Sequence, residues 1–206
     1  DVLEALRLLY LAVEKNAQMA QGYCHLAYSH LLRAVLHAVL PAEPVSHAFL
    51  AAHRALEIDA QMGAAHIALA LERLQNYHWH EADEQFRKGL ELSPSDAVGH
   101  AWYGIFLTNL GRTSEAVKHH ELAMESDPED AMSNCSYALT LFLMRLYGEA
   151  ARCYRIARAR YPWSRQAHAG LGIVGLQFGY CVGSIFTSAH GSKDATTPAA
   201  VRRHAH

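Results

Sequence analysis

Hydrophobic and polar positions repeat every 34 residues through the middle of the chain. Between residues 97 and 130 the apolar residues follow helical spacing in two stretches, which a turn around Gly111 separates. Proline and alanine mark the period at matching positions: Pro94, Pro128, Pro162, Ala82, Ala116 and Ala150. Each proline is expected to end a second helix, because it donates no backbone N–H and disfavours helix before it. The pattern therefore predicts an all-α solenoid of stacked helical hairpins.

The period divides most of the chain into helical hairpins. The predicted boundaries are a partial unit over 1–18, an interrupted unit over 20–61, full units over 63–96, 97–130 and 131–164, and a half unit over 165–180. Extra residues interrupt the early unit around Leu36–Val45, where Pro41 and Pro44 are expected to break any helix. Tyr147-Gly148 is expected to mark a turn, as Gly111 does.

The two ends of the chain depart from the repeat. Leu171–Phe186 is the most apolar stretch, but it is rich in glycine and shorter than the roughly 20 residues that span a membrane. We interpret it as the first helix of a further repeat. Residues 187–206 are rich in Ser, Thr, Ala and His and are expected to form a disordered tail. Because the chain begins with Asp1 and an unpaired second helix, we interpret it as a fragment of a longer protein.

The repeat resembles the tetratricopeptide repeat (TPR) family, whose pattern contains an aromatic residue, Leu-Gly, Tyr, Ala, Phe or Tyr, and Pro. Gly111–Ala116 matches this pattern. A second match consists of Ala150, Tyr154, Ala157 and Pro162. Ala60 replaces one expected proline, and histidine often occupies the first aromatic site. The resemblance covers residues 1–180 and implies a right-handed superhelix that presents a concave groove to a protein partner.

A narrower resemblance is to the C-terminal TPR region of multidomain bacterial signalling proteins. Those proteins join the repeats to a winged-helix DNA-binding domain or to a nucleotide-cyclase domain. The resemblance rests on an interrupted first repeat followed by segments 65–70, 77–79, 82–87 and 100–104. It implies a regulatory or sensor module in transcription or signal transduction. The alternative is a free-standing TPR scaffold or assembly factor, and an enzyme is a more distant alternative.

Charge and cysteine content narrow the expected partners and location. A net charge of -2 provides no general attraction to nucleic acid or acidic membranes. The four cysteines are widely spaced without a C-x-x-C pair: Cys24, Cys135, Cys153 and Cys181. Such spacing indicates reduced thiols and a cytoplasmic location. We expect neither direct nucleic-acid binding nor membrane insertion.

Fifteen histidines raise the question of a metal site. The densest groups are His78-Trp79-His80 and His119-His120, but neither has the spacing of a known metal motif. His66, His100 and His168 share one repeat position, which indicates a structural role. Gly179–Gly183 has the spacing of a nucleophile elbow but lies in a helical context. We predict no catalytic residue, no metal site and no cofactor.

The TPR resemblance assigns a partner-binding groove to the first helix of each unit. The assigned residues are Ile67, Leu71, Leu74, Val98, Ala101, Ile105, Thr108, Asn109, Met132, Cys135, Leu139, Phe142 and Leu143. This mostly apolar set predicts an apolar or amphipathic protein segment as partner, with self-association as a further mode. Two alternatives remain: other parts of the protein fill the groove, or the basic stripe Arg152–Arg165 binds an acidic partner or a phosphate backbone.

Overall fold

A computed structural model describes residues 2–36, 42–125 and 127–177. These ranges contain α1 (Val2–Lys15), α2 (Ala20–Leu36), α3 (Ala42–Ile58), α4 (Gly63–Gln75), α5 (Trp79–Leu92), α6 (Ala97–Asn109), α7 (Thr113–Met124), α8 (Ala131–Leu143), α9 (Tyr147–Arg160) and α10 (Arg165–Gln177). They contain no β-strand, and the predicted all-α class is confirmed. The expected tail over 187–206 and the end of the expected half unit lie outside the described residues.

Consecutive helices pair as hairpins, and the hairpins stack in chain order. α2 packs against α3, α4 against α5, α6 against α7, and α8 against α9. α1 covers one side of α2, and α10 packs on α8 and α9. The first helices also contact one another in sequence, α4 with α6, α6 with α8, and α8 with α10. The architecture is therefore the predicted helical-hairpin solenoid.

Small residues at repeating positions allow the helices to pack closely. Ala82, Ala116 and Ala150 are fully buried. The apolar core forms two clusters, one extending from α1 to α7 and the other from α8 to α10. Most burial therefore occurs between neighbouring helices, as expected of a solenoid.

The turns within three successive hairpins each contain a residue in the left-handed backbone region. Tyr77, Gly111 and Arg145, spaced by the repeat period, have φ angles of 60°, 76° and 63°. The N–H of the next residue donates to a carbonyl five residues earlier, as in a Schellman motif that ends a helix. The expected turn at Tyr147-Gly148 is wrong, because α9 begins at Tyr147 and Arg145 takes the left-handed position.

The interrupted early unit also differs from the expectation. α3 begins at Ala42, so Pro44 lies inside its first turn rather than breaking the helix. A helix tolerates proline there, because the first backbone N–H groups have no partner within the helix. Pro41 lies outside the described residues.

In four of the first helices, a side chain forms a hydrogen bond with a backbone carbonyl in the turn that precedes the helix. The four contacts repeat with the period: His66 Nε2 to Ala60 O at 3.2 Å, His100 Nε2 to Pro94 O at 3.0 Å, Asn134 Nδ2 to Pro128 O at 2.8 Å, and His168 Nε2 to Pro162 O at 2.7 Å. These side chains satisfy carbonyl groups that follow the end of a helix. The histidines at this repeat position therefore have a structural role.

Candidate functional site: the inner face

The first helices α2, α4, α6, α8 and α10 line one side of the solenoid, which we call the inner face. The residues assigned to it from sequence differ in exposure. Exposed members are Val98, Asn109, Leu139 and Leu143; half-buried members are Leu74, Ile105, Met132 and Phe142; buried members are Ile67, Leu71, Ala101, Thr108 and Cys135. Only the first two groups have side-chain surface that a partner can contact.

Helix packing covers the buried group. Ile67 fills the space beside α5, since a Cβ atom added to Gly89 would lie only 2.7 Å from Ile67 Cδ1. Thr108 is directed towards the next unit, where its Oγ1 lies 2.7 Å from Thr140 Oγ1. Neighbouring helices approach closely at these positions and leave no room for a ligand. We therefore exclude the five buried residues from the candidate site.

The exposed part of the inner face is apolar. Leu139 and Leu143 on α8 leave 42% and 53% of their surface accessible, and Val98 is exposed on the neighbouring α6. Asn109 adds an uncharged polar group at the end of α6. Exposed leucine and valine side chains on adjacent helices of one face indicate a surface for hydrophobic contact.

Phe142 is only partly available to a partner. Its ring lies 5.3 Å from the ring of Tyr147 at the start of α9, and both rings pack on the C-terminal core cluster. A substitution of Phe142 would therefore alter the fold as well as the inner face. Leu139 and Leu143 are the cleaner probes of binding.

A cavity of about 180 Å³ opens on the inner face between α2, α6 and α8. Its lining consists of His25, Tyr28, Ser29, Leu31, Val98, Trp102 and Met132. The Tyr28 hydroxyl donates to the Asp96 carboxylate over 2.6 Å, which fixes α2 against the beginning of α6. Burial and the nearby Asp96 charge raise the pKa of Tyr28. Because an apolar cavity of about 150 Å³ can hold benzene, this one can accept a single apolar side chain.

Sequence reasoning missed parts of the inner face at both ends. Ile173 and Leu176 on α10 are exposed one period after Leu139 and Phe142, and extending the period once more would have found them. Tyr28 and Trp102 were missed for a different reason. The interrupted unit has no fixed spacing to the later units, so no sequence pattern places α2 beside α6.

A buried chain of polar side chains lies beneath the inner face. His120 Nε2 is 3.0 Å from Thr140 Oγ1, which in turn contacts Thr108. His120 is fully buried, and its Nδ1 has no hydrogen-bond partner within the described part of the chain. Burial, together with the nearby His119, lowers its pKa to about 4. The neutral ring therefore joins α7 to α8 near neutral pH.

No metal chemistry emerges from the histidines and cysteines that the structure describes. Across residues 2–36, 42–125 and 127–177, no three His, Cys, Asp or Glu side chains converge to hold a metal ion. Burial raises the pKa of the Cys24 and Cys135 thiols to about 11, which favours unreactive thiols. In the same ranges, every helix is too short or too polar to cross a bilayer.

Several solved structures share this fold at low sequence identity. PilF from Pseudomonas aeruginosa is 21% identical, with 84% of this chain and 78% of that chain covered and a TM-score of 0.64. YrrB, described as a TPR protein with an unusual peptide-binding site, is 17% identical, with 88% and 90% covered and a TM-score of 0.57. PilW, described as a widely conserved type IV pilus biogenesis factor, is 20% identical, with 84% and 76% covered and a TM-score of 0.67.

No protein-family model and no curated protein matches the chain. The structural similarities therefore establish the fold. Together with the helix pairs, they define a TPR-type helical solenoid.

Proposed function

We propose that the inner face binds an apolar or amphipathic segment of a protein partner. The observation that carries this proposal is the group of exposed apolar side chains, with Leu139 and Leu143 foremost, on the same inner face as a mostly apolar cavity. A solvated surface would carry charged groups at these positions. A segment with several apolar anchors would cover the exposed leucines and place one side chain in the cavity.

The cavity gives this surface a suitable anchor site. Trp102 and Met132 contribute adaptable apolar surface, and aromatic residues in enclosed pockets commonly dominate binding energy. Burying one large apolar side chain stabilises a complex by about 1.5–3 kcal/mol, before the entropy lost on association is subtracted. Two or three such anchors suffice for a specific but reversible complex.

The wider role that we propose is a regulatory, non-catalytic module of a larger bacterial signalling protein in the cytoplasm. The resemblance of segments 65–70 and 100–104 to repeat regions of winged-helix regulators and cyclases supports it. A free-standing scaffold or assembly factor is the alternative. The similarity in fold to PilF and PilW, the second described as a pilus biogenesis factor, is compatible with that alternative. The described peptide-binding site of YrrB is compatible with either role.

A peptide selection tests the binding surface. A displayed library of random helical peptides would be selected on the full chain, and the binders measured by fluorescence anisotropy. We expect enriched peptides to carry apolar residues at i, i+3 or i+4, and i+7. Replacing both Leu139 and Leu143 with Ala should weaken binding tenfold or more, which corresponds to about 1.4 kcal/mol.

The matched control uses two leucines on other helices that are at least as exposed. Leu8 on α1 and Leu50 on α3 leave 53% and 66% of their surface accessible. The double substitution of Leu8 and Leu50 with Ala should leave peptide affinity unchanged. Thermal melts would verify that both double variants remain folded. Equal losses in the two variants, or no loss in either, would exclude the inner face as the binding surface.

A further inference from the structure

The arginines of α9 and α10 differ from most of those elsewhere in the described chain. Five arginines form what we call the basic edge: Arg152, Arg155, Arg158, Arg160 and Arg165. Four of them make no ion pair with the described residues, and Arg160 only approaches Glu129 at 4.0 Å. Five earlier arginines are paired within the chain, namely Arg7, Arg54, Arg73, Arg87 and Arg112, whereas Arg145 makes no ion pair with the described residues. The basic edge therefore has charge available for a partner.

One repeat earlier, acidic side chains cluster around the end of α7, although the residue equivalent to Arg152 is the exposed Lys118. We call Glu121, Glu125, Asp127 and Glu129 the acidic edge; all four side chains are exposed. Glu121 precedes Arg155 by one period of 34 residues, so the two occupy the same place on adjacent units. The separation of negative from positive charge extends along the chain. Residues 1–130 contain 18 acidic and 9 basic side chains, whereas residues 131–206 contain 2 acidic and 9 basic ones.

Apolar groups accompany these charges. Trp163 leaves 77% of its surface exposed in the turn before α10, and its ring lies 6.1 Å from that of the exposed Tyr161. Leu122 is exposed beside Glu121 on α7. An exposed tryptophan between arginines is typical of interfaces, in which Trp, Tyr and Arg are enriched.

We propose that two copies of this chain associate side by side through these edges, with the acidic edge of each copy on the basic edge of the other. In a dimer with a two-fold axis, the acidic edge of the first copy faces the basic edge of the second, and the basic edge of the first faces the acidic edge of the second. Both pairs of edges therefore form together, as an isologous interface requires. The near-neutral total charge does not favour nucleic acid or an acidic membrane as the partner. This dimer goes beyond the peptide-binding role, and its two edges contain neither Leu139 and Leu143 nor the residues that line the cavity.

Such an association should depend strongly on salt. Individual exposed ion pairs contribute little, so the interface needs several of them together with the contacts of Trp163 and Tyr161. Raising the salt concentration to about 1 M shortens the screening length to about 3 Å and removes most of the attraction between the edges. The dimer should therefore dissociate under conditions in which the fold persists.

Sedimentation velocity of the full chain tests the proposal across protein concentrations at low and high salt. We expect a monomer–dimer equilibrium at low salt and monomer at high salt. R155E/R158E and E121R/E125R should each raise the dissociation constant at least tenfold. An equimolar mixture of the two variants should restore dimers, because every reversed edge then faces an opposite charge.

The control R7E/R54E changes the net charge as much as R155E/R158E but lies outside both edges, and it should dimerise like the unaltered chain. Circular dichroism verifies that each variant is folded. If R155E/R158E unfolds, R155Q/R158Q takes its place. A chain that stays monomeric at low salt would overturn the proposal. A series of higher oligomers would also overturn it, as would an equal rise of the dissociation constant in R155E/R158E and in R7E/R54E. The same holds if the basic edge is required for binding anionic vesicles or single-stranded RNA but not for dimerisation.

Discussion

Arg145 holds a backbone conformation that suits glycine better than arginine. Its φ of 63° lies in the left-handed region, where a Cβ atom crowds the following carbonyl. Gly111 occupies the same place one period earlier without that penalty. The turn forms nevertheless, because the Schellman hydrogen bond and the packing of α8 on α9 offset the local strain.

Replacing Arg145 with Gly should therefore stabilise the protein by about 1 kcal/mol, as the left-handed strain is relieved. Chemical denaturation gives the free energy of unfolding. Arg145→Ala is the matched control, since it removes the same side chain but retains the Cβ atom. The reciprocal change, Gly111→Ala, should destabilise by a similar amount. Equal effects of Ala and Gly at position 145 would mean that the side chain, and not the backbone, sets the stability of this turn.

His120 should make stability fall as the solution becomes acidic. In the folded chain its pKa is about 4, below the ordinary value of 6.5. Between these values the unfolded state binds more protons, so stability is complete above pH 6.5 and is lost as the pH falls towards 4. The contribution is up to about 3 kcal/mol. His119, whose pKa burial and His100 also lower to about 4, acts in the same direction.

His120→Phe should reduce this acid sensitivity. Phe86 occupies the equivalent position two helices earlier and is fully buried, so the fold accepts a phenyl ring there. Urea denaturation between about pH 6.5 and about pH 4 should show a smaller loss of stability than in the unaltered chain. His80→Gln, which changes an exposed histidine, should leave the loss unchanged. A pH profile identical in all three proteins would contradict the assignment to His120.

The first helices differ in how their N-termini are capped. Asp96 and Asp130 accept hydrogen bonds from the backbone N–H groups of Gly99 and Ser133, at 2.9 and 2.7 Å. Met62 occupies the same position at the start of α4 and provides no side-chain cap. The three helices therefore share their boundaries but not the interaction that fixes their first turn.

Met62→Asp should accordingly be more stable than Met62→Ala by about 1 kcal/mol. The alanine variant is the reference because Met62 also packs on the core, and both substitutions lose that contact. Thermal or chemical unfolding measures the difference. Asp130→Ala should destabilise by a similar amount. If Asp and Ala at position 62 proved equal, the N-terminus of α4 would not need a cap.

The period in the sequence was sufficient to predict the helices and the buried alanines, because each alanine sits where two helices meet in every unit. The period did not distinguish the exposed Leu139 from the buried Leu71, which occupies the same repeat position two units earlier. Exposure there depends on the size of the residues on neighbouring helices, and Gly89 allows Ile67 to be enclosed. The cavity could not be predicted from the period either. α2, which supplies part of its lining, is separated from the later units by an insertion that breaks the 34-residue spacing.

The whole array consists of two apolar clusters that meet across a partly polar boundary. Between α6–α7 and α8, buried contacts include those of His120 with Thr140 and of Thr108 with Thr140. The Tyr137 hydroxyl also donates to Glu121 over 3.3 Å. Hydrogen bonds contribute modestly to net stability, because water offers the unfolded chain similar ones. The boundary should therefore couple the two clusters less strongly than apolar packing couples helices within each cluster.

We therefore expect α8–α10 to open as a separate unit, at a lower free energy than α4–α6, in native-state hydrogen exchange. Ala150→Leu overpacks the C-terminal cluster and should destabilise it by about 1–3 kcal/mol. Exchange in α8–α10 should then accelerate roughly tenfold or more, while α4 and α5 keep their rates, because units of a solenoid contact only their neighbours. Ala82→Leu is the reciprocal control and should accelerate α4 and α5. A uniform response of all helices to either change would mean that the array opens as one cooperative unit despite its polar boundary.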